Sequence, residues 1–245
     1  MVNSDSGILR QDETYLECEK KWVFQTLMFV AGFYGVFTFL LRGGVFCNAQ
    51  TANFVMFAMA IGQGKWSQAA YYLIPMGAYL LGAIVSEALP VPIKKLKFIR
   101  WDTLLIFLEM IIVLLLGFVP ESAPYQISQV AINFICSMQY NTFRQAQGVP
   151  MATTFCTNHV RQIGVWLFKG LKGHPNKKFI KRAINHLIML IAFVLGGIVS
   201  ALLCKRIMGR AIWAALIPLG IVLGNLLYAD LKTEKNLILR KPHGH

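Results

Sequence analysis

The sequence predicts an all-α membrane protein: six transmembrane helices in an inverted 3+3 tandem repeat, with two re-entrant or broken polar segments. Three observations predict it, namely the composition, an internal repeat and the placement of the basic residues. Hydrophobic residues make up 56% of the chain and charged residues only 14%, and the mean hydropathy is +0.54. A soluble domain of this length needs far more charge to cover its surface. Apolar runs at Trp22–Leu41, Ala69–Leu89, Thr103–Val119, Ile184–Leu203 and Ala211–Ala229 approach or exceed the ~20 residues that cross a bilayer.

The repeat lies between residues 78–89, AYLLGAIVSEAL, and residues 192–203, AFVLGGIVSALL, which are identical at seven of twelve positions. Each stretch leads into a basic loop and another apolar run. Upstream of each stands a Gly-Val pair with a polar cluster, GGVFCNAQTANFV in the first half and QGVPMATTFCTNHV in the second. Three matches in the same order divide the chain into a first membrane repeat at 22–119 and a second at 125–230. A cytoplasmic N-terminal segment, 1–21, and a cytoplasmic tail, 231–245, flank them.

Within each half the order is a span, a polar segment and two further spans; the first span of the second half, Gln126–Phe143, is the more polar. The polar segment sets the topology. If it dips in and returns, with the N-terminus inside, 18 Lys and Arg collect on the inner side and five outside. If it crosses, giving eight spans as 4+4, the division weakens to 14 against nine. The excess of basic residues in cytoplasmic loops favours six spans, and three spans per half then orient the halves oppositely. The net charge of +13 follows from those short loops, so the expected partner is the lipid bilayer and no nucleic acid is implied. The location expected is the cell inner (plasma) membrane. Residues 1–21 lack the basic start and short apolar core of a signal peptide, so the first span is expected to anchor the mature protein.

A polar cluster at membrane depth survives when it is buried in protein or lines a wet cavity. Inverted repeats with broken helices meeting at the midplane recur in transporters, where half-helix N-termini present a positive dipole end. The expected site therefore draws Asn48, Gln50, Thr51 and Asn53 from the first half and Thr153, Thr154, Thr157 and His159 from the second. Arg42 and Arg144, which close the first span of each half, are expected to attract a small polar and more often anionic solute. Thr51 and Thr157 occupy matching places and are expected near the axis relating the halves. Glu109, inside an apolar run, is the candidate for proton coupling, since an intramembrane carboxylate is costly and tends to be functional. The competing reading is a membrane scaffold or accessory subunit whose polar residues only hold helices together.

Five cysteines without a C-x-x-C pair give neither a zinc site nor a disulfide framework, and Cys156 with His159 is too small a set for a metal. No cofactor is expected. No nucleophile motif, zinc-protease motif, nucleotide loop or pair of catalytic carboxylates occurs, so no enzyme is expected. A homo-oligomer is left open.

At RGGVFCNAQTANFV (Arg42–Val55) and FRQAQGVPMATTFCTNHVR (Phe143–Arg161) the sequence resembles the YoaK-like family of bacterial integral membrane proteins, from about Phe24 to Tyr228. Members of that family often show Gln-Thr-Gly-Asn in the first motif and Thr-Gly-Asn in the second. Here Ala52 stands in the first glycine position, and Asn158 and His159 stand where Gly-Asn is expected. The resemblance implies a membrane protein in which both motifs matter, and it implies no substrate.

Overall fold

The structure, a computed structural model, describes residues 15–94, 98–172 and 177–242. Arg10, Lys95 and Lys97, counted above among the basic residues, lie outside them. The described chain is almost entirely helical. In order come α1 (Lys21–Leu41), α2 (Gln50–Gly62), α3 (Trp66–Ala88), α4 (Pro90–Lys94), α5 (Trp101–Leu116), α6 (Tyr125–Thr142), α7 (Thr157–Leu171), α8 (Lys177–Ile207) and α9 (Leu216–Tyr228). A 3-10 stretch, Met208–Ala215, joins α8 to α9. A two-stranded hairpin, Gln145–Ala146 against Val149–Pro150, follows α6. Its turn residues Gln147 and Gly148 both have positive φ, 49° and 72°, the geometry that a two-residue hairpin needs to match strand twist.

Three stretches among the described residues are long and apolar enough to cross a membrane: Lys21–Leu41, Trp66–Lys94 and Lys177–Thr233, the last carrying α8 and α9 together. By that measure α5 is short at 16 residues, and α6, though 18 residues long, is polar, with Gln126, Gln129, Asn133, Gln139 and Asn141 on it. The stretches differ in burial. In α1 67% of the apolar window is buried inside the protein, against 28% for the other two. Phe24, Leu27, Met28, Phe33, Tyr34 and Phe37 of α1 make it the core helix. The outer helices turn apolar side chains away from the protein, including Leu80, Leu81 and Ile84 on α3 and Ile191, Val194, Leu195 and Ile198 on α8.

Glycines set the two tightest crossings. On α1 and α8, a side chain at Gly32 would strike the backbone of Phe193, and one at Gly196 would strike the backbone of Phe29. On α3 and α6, a side chain at Gly82 would meet the Phe134 carbonyl and Ser137. Small residues here let backbones approach to van der Waals contact. Gly82 and Gly196 are the same position of the two similar twelve-residue stretches.

The contacts also give direction. Gly32 lies by Phe193, Val36 by Gly197 and Arg42 by Gly209, so α1 and α8 run parallel. Gln129 bonds Tyr71, and Asn141 bonds Ser86, so α3 and α6 run parallel as well. One end of the bundle is tied by Arg42, Glu121 and Gly209, with Arg42 Nη1 2.7 Å from Glu121 Oε2 and the Gly209 N–H donating to Glu121 Oε1 at 2.5 Å. The other end is tied by Arg100, whose Nε is 2.9 Å from Asp230 Oδ1 and whose Nη2 pairs with Glu234. Thus α1, α5 and α8 run toward the Arg42 end, and α3, α6 and α9 run toward the Arg100 end.

The glycine crossings predict a sharp stability contrast. Gly32→Leu and Gly196→Leu should each destabilise the protein by about 1–3 kcal/mol through overpacking. Gly224→Ala on α9, where an added side chain meets nothing within 4 Å, should stay within about 0.5 kcal/mol of wild type. Thermal unfolding in detergent separates the two outcomes.

Candidate functional site

After α1 the chain reverses. Gly43 and Gly44 adopt φ of 76° and 70°, a conformation that a side chain disfavours. Gly43 also sits so close to Tyr71 and Gln129 that a side chain would collide with both. Residues 45–49 then run back beside α1. Asn48 Nδ2 donates to the Ala31 carbonyl at 2.9 Å and packs on Gly35, halfway along α1. From that depth α2 starts at Gln50 and climbs back toward the Arg42 end. The break precedes Ala52, which is already helical, so α2 does without a glycine there.

The first motif's amides close this reversal. Asn53 Oδ1 accepts the Phe46 N–H at 3.1 Å, while its Nδ2 donates to the Phe46 carbonyl at 2.7 Å and to Gln50 Oε1 at 3.2 Å. Gln50 Nε2 donates to Asn133 Oδ1 at 2.8 Å. Gln129, one turn before Asn133 on α6, donates to the Arg42 carbonyl at 2.6 Å. Asn48, Gln50 and Asn53 are therefore all engaged with protein.

The second motif reverses the chain after α6. Met151 N–H donates to the Arg144 carbonyl at 3.0 Å, and Gln139 Nε2 donates to the Thr153 carbonyl at 3.3 Å. Thr154 lies beside Tyr79, midway along α3. From here α7 runs back toward the Arg100 end along α8. The second motif differs from the first in its balance of partners. The hydroxyls of Thr153 and Thr154, and of Ser137 on α6, are buried with no hydrogen-bond partner among the described residues. Ser137 faces Gly82 of α3, one turn from Tyr79.

His159 is fully buried. Its Nε2 lies 2.8 Å from the Ala152 carbonyl, which can only accept, so that nitrogen carries hydrogen. Its Nδ1 is 2.9 Å from Nδ1 of His186 on α8. In the neutral pair His186 donates there, leaving its own Nε2 buried without a partner. Glu109 is likewise fully buried, with Oε1 accepting from the Tyr34 hydroxyl at 2.9 Å and Oε2 unpartnered.

Two expected site residues point elsewhere. Thr51 and Thr157 are exposed, because each is two residues, about 200° of helical rotation, from the inward Asn53 or His159. The two arginines are also occupied: Arg42 by Glu121, and Arg144 by Glu87 at 3.0 Å. Between the motifs, Cys47 of the first meets Cys136 on α6, and both belong to one apolar cluster with Tyr79, which neighbours Thr154. Cavities of ≈ 290 and ≈ 10 Å³ open at the Arg100 end, away from both motifs. No group of three metal-ligating side chains occurs among the described residues. Sequence reasoning missed Tyr79, Gln129, Asn133, Ser137 and His186. Gln129, Asn133 and Ser137 recur every four residues, a polar stripe on α6 that periodicity exposes.

The chain belongs to a family described as "protein of unknown function (DUF1275)", whose model matches residues 23–224. That match is consistent with the resemblance drawn from the two motifs. No curated protein and no solved structure matches it.

Two expectations follow. Asn53→Leu should cost about 1–3 kcal/mol for each Phe46 backbone group left unpaired, whereas Thr51→Val should be near neutral; equal losses in thermal unfolding would refute this account of the first motif. The second concerns acid. Burial pushes the Glu121 carboxyl up, but hydrogen bonds from Arg42 and the Gly209 N–H outweigh it and leave the pKa below the ordinary value. A depressed folded-state pKa stabilises the protein above the usual carboxylate range, and that contribution is lost as pH falls below it. Glu121→Gln should therefore flatten the acid side of the stability–pH profile.

Proposed function

We propose that the chain is an inner-membrane transporter or channel for a small polar solute, built of six spans with an inverted 3+3 repeat and two re-entrant half-helices. The spans are α1, α3, α5, α6, α8 and α9, and the half-helices are α2 and α7. The observation that carries this reading is the pair of chain reversals at mid-bundle, each followed by a helix that returns to the end it came from. Packing supports the repeat, because exchanging the halves maps α1 on α8 onto α6 on α3, and α2 on α3 onto α7 on α8. Charge supports the orientation. The Arg100 end carries most of the described basic residues, which makes it cytoplasmic, and the outward apolar faces fit lipid.

The roles of the two motifs differ. The first is structural at its amides. The second offers the buried, unpartnered hydroxyls of Ser137, Thr153 and Thr154, just before the N-terminus of α7, which carries no side-chain cap. Buried polar atoms without protein partners are where a bound solute or a water would sit, and a positive helix end favours a neutral or anionic solute. With Arg42 and Arg144 neutralised by carboxylates, attraction to an anion rests on that helix end. Glu109, against Tyr34, would carry a coupling proton in this reading. The scaffold reading remains the second one, favoured by the closed hydrogen bonding of the first motif.

Flux tests it. Purified protein in liposomes should speed swelling in iso-osmotic glycerol, urea or formate, with Thr154→Val and Tyr79→Phe altering that permeation at unchanged thermal stability. Variants that lower stability and leave permeation at the background of empty liposomes would favour the scaffold. Topology is tested separately: single cysteines at Lys94 and Lys178 should react only from the cytoplasmic side, and at Lys65 and Arg206 only from outside.

A further inference from the structure

The ≈ 290 Å³ cavity lies between α4, the start of α5 and the C-terminal tail. We propose that it binds the phosphate headgroup of an acidic phospholipid, an inference that rests on the reading of the chain as membrane-spanning. Its volume is at the lower end of ligand pockets, roughly 300–1,000 Å³, which suits a headgroup and not a whole lipid. Lys94, Arg240 and Lys241 stand around it, and Val91, Trp101 and Ile238 give it apolar walls. Arg100 also lines it, but its charge is taken up by Asp102, Asp230 and Glu234, none of which lines the cavity. The one carboxylate in the lining, Glu87, is held by Arg144 at 3.0 Å and by Asn141 at 3.1 Å. Lys94 and Lys241 thus leave the lining with an excess of positive charge.

The surroundings separate a lipid from a soluble anion. Val91, Phe98 and Leu239 next to the basic groups are 68%, 58% and 48% exposed. A free phosphate would satisfy the cations and leave these side chains in water, whereas a phospholipid places phosphate on the cations and acyl chain over the apolar rim. Basic pockets at the cytoplasmic ends of membrane helices recognise anionic headgroups by this division of labour, and the basic end here is the one assigned to the leaflet rich in such lipids.

The test uses the full-length chain in nanodiscs of phosphatidylcholine with graded phosphatidylglycerol, with retained lipid read by native mass spectrometry. Wild type should retain phosphatidylglycerol in preference to phosphatidylcholine. The double variant Lys94→Gln, Lys241→Gln should lose that preference by roughly fivefold per charge removed. Lys205→Gln with Arg206→Gln, at the opposite end, should retain it. Lys94→Gln alone, at an exposed position, keeps the question open to measurement should the double variant fold poorly. Equal retention by wild type and the cavity variants would overturn the proposal, as would full displacement of phosphatidylglycerol by inorganic phosphate. A chain that failed to insert into phosphatidylcholine at all would instead refute the spanning reading.

Discussion

Backbone contact at glycine is the constraint on which the architecture depends. At the α1–α8 crossing, Gly32 and Gly196 place each helix against the other's main chain, and Gly82 does the same for α3 against α6. Both crossings join helices from different halves. Beside them Gly35 leaves room for Asn48 against α1, and with Gln50 bonded to Asn133 of α6 this fixes the depth at which α2 starts. Where the outer helices meet no protein they carry Leu, Ile and Val, and the driving force for their burial would come from lipid and not from the core.

Polarity inside the bundle is of two kinds. Asn53 grips one residue, Phe46, by both its backbone groups, and it fixes the loop as a clamp fixes a bend. Thr153, Thr154 and Ser137 bring hydroxyls to the same depth and find no such partner. The two motifs occupy corresponding places in the sequence yet differ in chemistry, with amides in one and hydroxyls and an imidazole in the other. An amide holds its N–H donors and its acceptor oxygen in one plane and so grips a donor and an acceptor in fixed directions; a hydroxyl also donates and accepts, but from one atom that turns freely. The first chemistry suits a permanent bond and the second an exchangeable one.

Much of this arrangement was legible in the sequence, for identifiable reasons. The helices follow from long apolar runs, and the two reversals from Gly-Val pairs followed by amides or hydroxyls. The positions of Gly82 and Gly196 stand out because the twelve-residue stretches around them match. Side-chain direction was less legible. Thr51 and Thr157 sit in the motifs but face outward, since a helix turns by 100° at each residue and a motif read as a string has no faces. Partners distant in sequence were invisible: nothing near Arg42 announces Glu121, and nothing near His159 announces His186, because the first pair exists only once α1 meets the α5–α6 loop and the second only once α7 packs on α8. Glu109 was conspicuous as a lone carboxylate in an apolar run, and its partner Tyr34 was hidden among aromatic neighbours that only pack.

The cross-half pairing of α1 with α8 also bears on how the chain is made. Gly32 leaves the ribosome early, while the helix that fits against it is not complete until most of the sequence has been translated, on the order of ten seconds or more later at usual elongation rates. During that interval α1, the most thoroughly enclosed helix of the finished protein, has neither its principal neighbour nor the core around it. Until then it stands as a solitary apolar segment with Tyr34 and Thr38 uncovered. Biogenesis of this protein is therefore a problem of holding its first helix until its last third arrives.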